Sequence, residues 1–260
     1  SRAPSPPWTR ASSTVGSATA SPKMTTVAEV TDWLGERRCT ARQLIDAYLD
    51  FLAHVGKELG AVVETFPDQA RAAADQSDQR RATGESLGPL DGIPFTAKMN
   101  ITTKLGTSDA SSSILQGFRA QEDATAVRRL LAAGAVLTGK SSCDEFAMGA
   151  SNETSAHGVV SNPWDRSRVP GGSSGGAAAL AGSHGWAFHL GSDTGGSIRQ
   201  PAAFCSATGI KPTWGRVSRF GAMPRAWSLD TVGPLTRTVA DSYRPARAPN
   251  CPTSAEGAMP

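Results

Sequence analysis

Two stretches concentrate the residues able to do chemistry: Gly171-Gly172-Ser173-Ser174-Gly175-Gly176 and Gly191-Ser192-Asp193-Thr194-Gly195-Gly196-Ser197. Glycines beside a serine let the backbone turn sharply and let a reacting carbonyl come close to main-chain N–H groups. Taken singly, each stretch reads first as a linker or turn. A phosphate-cradling loop needs Lys and then Ser or Thr after its last glycine, whereas Ala177 and Ala178 follow here. A Ser-His-Asp hydrolase is equally unsupported. The G-x-S-x-G elbow is missing in its strand-turn-helix context, and His54, His157, His184 and His189 fall in no motif and read as structural or surface residues.

The elements that must position these serines alternate along the chain. A short helix runs through Val27, Val30 and Leu34, and a second follows Thr40, with Gln43 three residues on as a capping box. Leu44, Ile45, Tyr48, Leu49 and Leu52 share one face of the second helix. Residues 61–66 read as a strand and 67–82 as an Ala-rich helix. Residues 93–97 read as a strand, 123–133 as a capped amphipathic helix, and 135–138 and 186–190 as buried strands. This order predicts an α/β fold, a sheet with helical layers.

The two ends of the chain differ from its middle. Residues 1–24 combine four prolines and many serines with no acid, so no packed structure is expected; they suit an organelle transit peptide or a leader upstream of Met24. A mitochondrial or other organelle matrix is therefore the expected location, and the cytoplasm otherwise. Residues 242–260 carry Pro245, Pro249, Pro252 and Pro260 and read as a disordered tail. The net charge of +3 comes from Arg2, Arg10 and Lys23, since the rest of the chain holds 23 basic and 23 acidic residues. A basic face for nucleic acid has no support. Neither a C-x-x-C pair nor an apolar run of about 18 residues is present, which leaves zinc knuckles and membrane spans without a signal.

The text around the glycine-serine stretches is more specific than either stretch. Asn162-Pro163-Trp164, the two stretches, Ile198-Arg199-Gln200-Pro201 and Gly209-Ile210-Lys211-Pro212 resemble the amidase signature sequence. Gly92-Ile93-Pro94-Phe95-Thr96-Ala97-Lys98 resembles the lysine-bearing strand of that family, and Gly139-Lys140 with Asp144-Glu145-Phe146-Ala147-Met148-Gly149 its next block. The resemblance covers residues 25–241 and implies a mixed β-sheet flanked by helices. Within the family, Arg199-Gln200-Pro201-Ala202, Gly215 to Gly221 and Ser228-Leu229-Asp230 are most similar to the A subunit of glutamyl-tRNA(Gln) amidotransferases.

The resemblance implies roles. Ser197 matches the nucleophile, Ser173 the cis-peptide serine that relays its proton, and Lys98 the base, which must be neutral to accept it. The N–H groups of Thr194, Gly195, Gly196 and Ser197 would surround the oxyanion. Ser174, Asp193 and Arg199 form the surrounding layer. Asp193 and Arg199 suit a buried pair bracing the loop, a surface salt bridge, or no contact at all. The implied substrate is glutamine and the implied partners are B and C subunits. Any tRNA is met through a partner, no cofactor or metal is expected in this chain, and ATP and Mg belong to the partner.

Departures accompany the match. Met99 stands where the family usually carries Asp after the lysine, and Cys143 lies in the run that follows Lys140, where it reads as a packing residue. Family domains continue beyond the segment matched here, and the residues that grip the substrate's charged ends are expected there. Two alternatives to the glutaminase role stay open: a stand-alone amidase for another small amide, and a fragment without catalysis.

Overall fold

The computed structural model describes residues 25–183 and 186–246. The expected leader, His184 and the end of the expected tail lie outside the described residues. Helix α1 (Val27–Gly35) and helix α2 (Ala41–Phe51) each begin with a complete capping box, Thr26 with Glu29 and Thr40 with Gln43. Reciprocal bonds of this kind satisfy donors that the first helical turn would leave orphaned. A π-helical turn, Leu52–Gly56, continues α2 toward strand β1 (Val62–Thr65), and helix α3 (Pro67–Thr83) ends on left-handed Gly84. Strand β2 (Pro94–Lys98), helix α4 (Thr125–Ala132) and strand β3 (Val136–Ser141) follow. Helix α5 (Gly175–Ser183), strand β4 (Phe188–Asp193), helix α6 (Arg199–Phe204), strands β5 (Thr208–Gly209) and β6 (Thr231–Thr236) and helix α7 (Val239–Ala246) complete the described chain.

The six strands form one mixed sheet in the order β1-β3-β2-β4-β6-β5. Strand β2 pairs in parallel with β3 and with β4; the remaining neighbours are antiparallel. The mixed sheet with helical layers is thus the expected fold class. Phe95 on β2 lies opposite Phe188 on β4, their rings stacked with centroids 5.3 Å apart. That contact fixes the two strands whose C-terminal ends lead to the chemistry. Helix α5 is almost wholly buried, and its Ala-rich sequence explains how. A Cβ on Gly176 would lie 2.6 Å from the Ala61 carbonyl and 2.7 Å from Ser142 backbone atoms, so this helix reaches the sheet only because the residue is glycine.

Several boundaries differ from those the periodicity predicts. Strand β3 continues through Gly139, Lys140 and Ser141, because Lys140 Nζ is met by the Ile101 carbonyl and the Thr103 and Ser108 hydroxyls, which makes a polar strand end tolerable when buried. Strand β4 starts later and runs on to Asp193, held by its ladder to β6. Helix α4 begins at Thr125 with no side-chain cap; Asp123 instead accepts from the Lys104 backbone N–H at 2.8 Å. Residues 242–246, expected as disordered tail, belong to helix α7. Thr238 Oγ1 accepts the Asp241 N–H, Asp241 accepts the Ala28 N–H, and the Ser242 and Thr236 hydroxyls meet at 2.5 Å. Local caps and a contact far away in sequence outweigh the helix-breaking tendency of Pro245.

Loss of the Phe188 ring would leave a cavity against Phe95. Phe188→Ala is expected to lower stability by about 3–5 kcal/mol, and Thr40→Ala by about 1 kcal/mol, both read from the shift of urea denaturation midpoints.

Candidate active site

Lys98 is the last residue of β2, in the middle of the sheet, and its side chain is fully buried. Its Nζ meets three hydroxyl oxygens, Ser173 at 2.7 Å, Ser174 at 3.0 Å and Ser192 at 3.0 Å. No carboxylate among the described residues touches it. Burial pushes its pKa down from the usual lysine value to about 8, against the opposing pull of Cys143, Asp144 and Asp193, while Arg225 adds to the fall. A lysine held this way is neutral in about a tenth of molecules at pH 7, far more than an ordinary lysine, and in that form can accept a proton from a hydroxyl.

Ser173 and Ser174 precede α5 directly, and the Gly172–Ser173 peptide is cis. Ser174 Oγ, besides accepting from Lys98, donates to the Ser192 carbonyl at 3.1 Å, and its N–H donates to the Ser197 carbonyl at 3.1 Å. Those bonds tie the two glycine-serine stretches together, although 18 residues separate Ser174 from Ser192. They also bring Ser197 beside the serine pair that meets Lys98. The Ser197 hydroxyl forms no hydrogen bond to Ser173 among the described residues, so the side-chain contacts that run from Lys98 toward Ser197 stop at Ser173.

The loop from Asp193 to Arg199 is braced from within. Asp193 Oδ2 accepts the backbone N–H groups of Ile198 at 3.0 Å and Arg199 at 3.3 Å. Arg199 closes a bidentate pair on the same carboxylate, Nε to Oδ2 at 3.0 Å and Nη2 to Oδ1 at 2.9 Å. The aspartate side chain is 0% exposed and the arginine 53%, so the pair is half-buried, between the two contact geometries the sequence allowed. Burial would raise the Asp193 pKa, but the Arg199 and backbone hydrogen bonds outweigh it and hold the carboxyl below its usual range. Inside this bracket sit Thr194, Gly195, Gly196 and Ser197. Gly196 has φ +147°, a conformation that a side chain would strain, although nothing within 3.9 Å would clash. The four N–H groups donate to no acceptor among the described residues and are free to meet an incoming oxygen.

The structure therefore brings together Lys98, Ser173, Ser174 and Ser197, and places Asp193 and Arg199 as the brace of the Thr194–Ser197 loop. Two residues that sequence reasoning missed join them. Ser192 Oγ contacts Lys98 Nζ and accepts from Asn100 Nδ2 at 3.0 Å, so Asn100 orients the third hydroxyl around the lysine. Ser192 precedes Asp193 by one residue on β4, and alternation along that strand was the available signal. Cys143 is buried near Lys98 with its thiol 3.5 Å from the Ser111 hydroxyl. Met99, in place of the expected acid, is buried in the core.

A buried lysine on a serine pair, facing a glycine-rich loop of free N–H groups, is an arrangement suited to acyl transfer from an amide. The family model described as Amidase matches residues 43–248, and the chain belongs to that family. It is 53% identical over 209 residues to the A subunit of the glutamyl-tRNA(Gln) amidotransferase of Prochlorococcus marinus (strain MIT 9303), covering 80% of this chain and 43% of that protein. Among solved structures, the native peptide amidase of Stenotrophomonas maltophilia superposes with a TM-score of 0.81 at 39% identity, over 86% of this chain and 47% of the other. The A subunit of the glutamyl-tRNA(Gln) amidotransferase of Thermotoga maritima superposes with a TM-score of 0.71 at 36% identity, over 89% and 49%. The chain thus spans less than half the length of the curated relative named here.

Asp193→Asn removes the charge but keeps the shape of the brace, and is expected to cost on the order of 2 kcal/mol at pH 7. Because the folded carboxyl titrates below its unfolded value, the contribution is present above about pH 4 and lost as pH falls through the folded pKa. Denaturation of the two proteins across the range from about pH 2 to 7 should accordingly give stabilities that converge at the acid end.

Proposed function

We propose that this chain supplies the amide-hydrolysing chemistry of a glutamyl-tRNA(Gln) amidotransferase, in the role of its A subunit, releasing ammonia from glutamine through an acyl-enzyme on Ser197. The observation that carries the reading is the 2.7 Å contact between buried Lys98 Nζ and Ser173 Oγ. Ser197 Oγ attacks the amide carbon and passes its proton to Ser173, which passes its own to neutral Lys98. The oxyanion is met by N–H groups of the Thr194–Ser197 loop, where one donor of this kind is worth about 3–4 kcal/mol of transition-state stabilisation. Return of the proton through Ser173 to the leaving nitrogen frees ammonia, and water then attacks the acyl ester by the same relay. Identity of 53% to a named A subunit supports glutamine as the amide. It also supports B and C subunits as partners, with tRNA, ATP and magnesium handled outside this chain.

A second reading, a stand-alone amidase, is favoured by one observation: the peptide amidase superposes more closely than the solved A subunit, with TM-scores of 0.81 and 0.71. Ammonia release from glutamine, peptide amides and simple aliphatic amides, measured with and without B and C subunits, separates the two. Glutamine turnover that requires the partners supports the first; partner-independent turnover of peptide amides supports the second.

Ser197 is expected to be the residue labelled by a fluorophosphonate probe, with labelling abolished in Ser197→Ala; modification at Ser173 instead would overturn the assignment of nucleophile. The labelling rate should rise with pH through about 8, where Lys98 loses its proton, and level off above it. Lys98→Ala should slow labelling by about 10²–10⁴-fold and remove that pH step.

A further inference from the structure

Between the Ser197 loop and the chain segment that returns from β5 to β6 lies a cleft of about 150 Å³, lined among others by Asn100, Ser192, Thr194, Arg219, Arg225 and Asp230. The wall carrying Arg225 is fixed to both halves of the candidate active site. On the lysine side, Ala222 bridges Ile101, and the Met223 N–H donates to the Asn100 carbonyl at 2.9 Å. Asn100 in turn holds the Ser192 hydroxyl that meets Lys98. On the loop side, Asp230 Oδ2 accepts the backbone N–H groups of Arg225 at 2.8 Å and Ala226 at 2.9 Å, while Oδ1 accepts the Thr194 hydroxyl at 2.5 Å.

The charged groups lining this cleft are two guanidiniums and one carboxylate. The carboxylate, Asp230, is engaged by those three donors. Arg219 is committed as well, its guanidinium 5.1 Å from the Trp214 ring centre and 5.6 Å from that of Trp227, with a hydrogen bond to the Trp227 carbonyl. Arg225 is different. Its side chain is exposed and makes one hydrogen bond, from Nη1 to the Ala147 carbonyl at 3.1 Å, with no carboxylate at ion-pair distance among the described residues. A planar guanidinium with donors to spare is suited to bidentate capture of a carboxylate.

We propose that Arg225 is a specificity-determining residue that selects amides bearing a carboxylate, holding that group in the cleft while the amide carbonyl enters the Thr194–Ser197 loop. The proposal rests on the reading of this site as an amide-hydrolysing one and adds the residue that recognises the rest of the substrate. An acid separated from the scissile amide by a short aliphatic chain would offer its amide to the Thr194 end of the cleft and its carboxylate to the guanidinium that lines the same cleft. A cationic group in the same place meets two arginines and is disfavoured.

Equilibrium binding to the 260-residue chain carrying Ser197→Ala, measured by calorimetry, tests this without requiring turnover. The probes are glutaramate and pentanamide, which differ by one carboxylate at the end of the same chain. Glutaramate is expected to bind at least about tenfold more tightly, equivalent to about 1.4 kcal/mol. Adding Arg225→Leu should remove the preference while leaving pentanamide within about threefold, and Arg225→Lys should keep part of it. Equal binding of the two probes, or a preference that survives Arg225→Leu, would overturn the proposal. Failure of Ser197 to react with fluorophosphonate in the unsubstituted chain would count instead against the reading on which it rests.

Discussion

Burial of one amine among hydroxyls is the constraint on which the rest of this structure depends. An ammonium deprived of water is costly unless its donors are met. Lys98 has three acceptors, drawn from both glycine-serine stretches: Ser173 and Ser174 from the first, Ser192 from the second. Because these oxygens are neutral, the lysine keeps hydrogen bonds in place without gaining a counter-charge at contact distance. The result is an amine that is ordered and yet easily deprotonated.

Satisfying that amine dictates the surrounding architecture. Strand β2 must sit in the middle of the sheet so that its last side chain is shielded, and β4 must be its neighbour so that Ser192 arrives at the same level. Helix α5 must approach closely enough to bring Ser173 and Ser174 to the amine, which the Ala-rich sequence and the close contact at Gly176 permit. The stack of Phe95 on Phe188 holds the two strands in register a few residues before the site. Core packing and site geometry are therefore one problem. The same apolar contacts that stabilise the sheet keep water from the lysine.

Much of this was legible in the sequence where a local physical rule acts. Thr40 with Gln43 marks the start of α2, and Ile93 to Ala97 marks the central strand. That Lys98, Ser173 and Ser197 belong to one site is instead what the family resemblance implies, and the structure shows the Lys98–Ser173 contact. Elements stabilised by distant partners were not legible. Strand β6 is interrupted by Gly233 and Pro234 and has no alternating pattern, yet five of its residues pair with β4. Lys140 lies near the end of a buried strand because acceptors from residues 101 to 108 fold over it. The contribution of Asn100 was hidden for the same reason: an asparagine after a strand reads as a turn residue until Ser192 is placed opposite its amide.

The absence of an acid after Lys98 takes on a clear meaning in this setting. With Met99 buried in the core, the carboxylates that act on the lysine are those of Asp144 and Asp193, neither of them hydrogen-bonded to its Nζ. Asp193 is moreover partly neutralised by Arg199, so the bidentate pair that shapes the loop also weakens the aspartate's hold on the lysine proton. Arg225 adds positive charge from the cleft side. With hydroxyls at contact distance and carboxylates only beyond them, desolvation is the dominant influence on Lys98, so the basicity of the amine is governed by how dry the sheet keeps it.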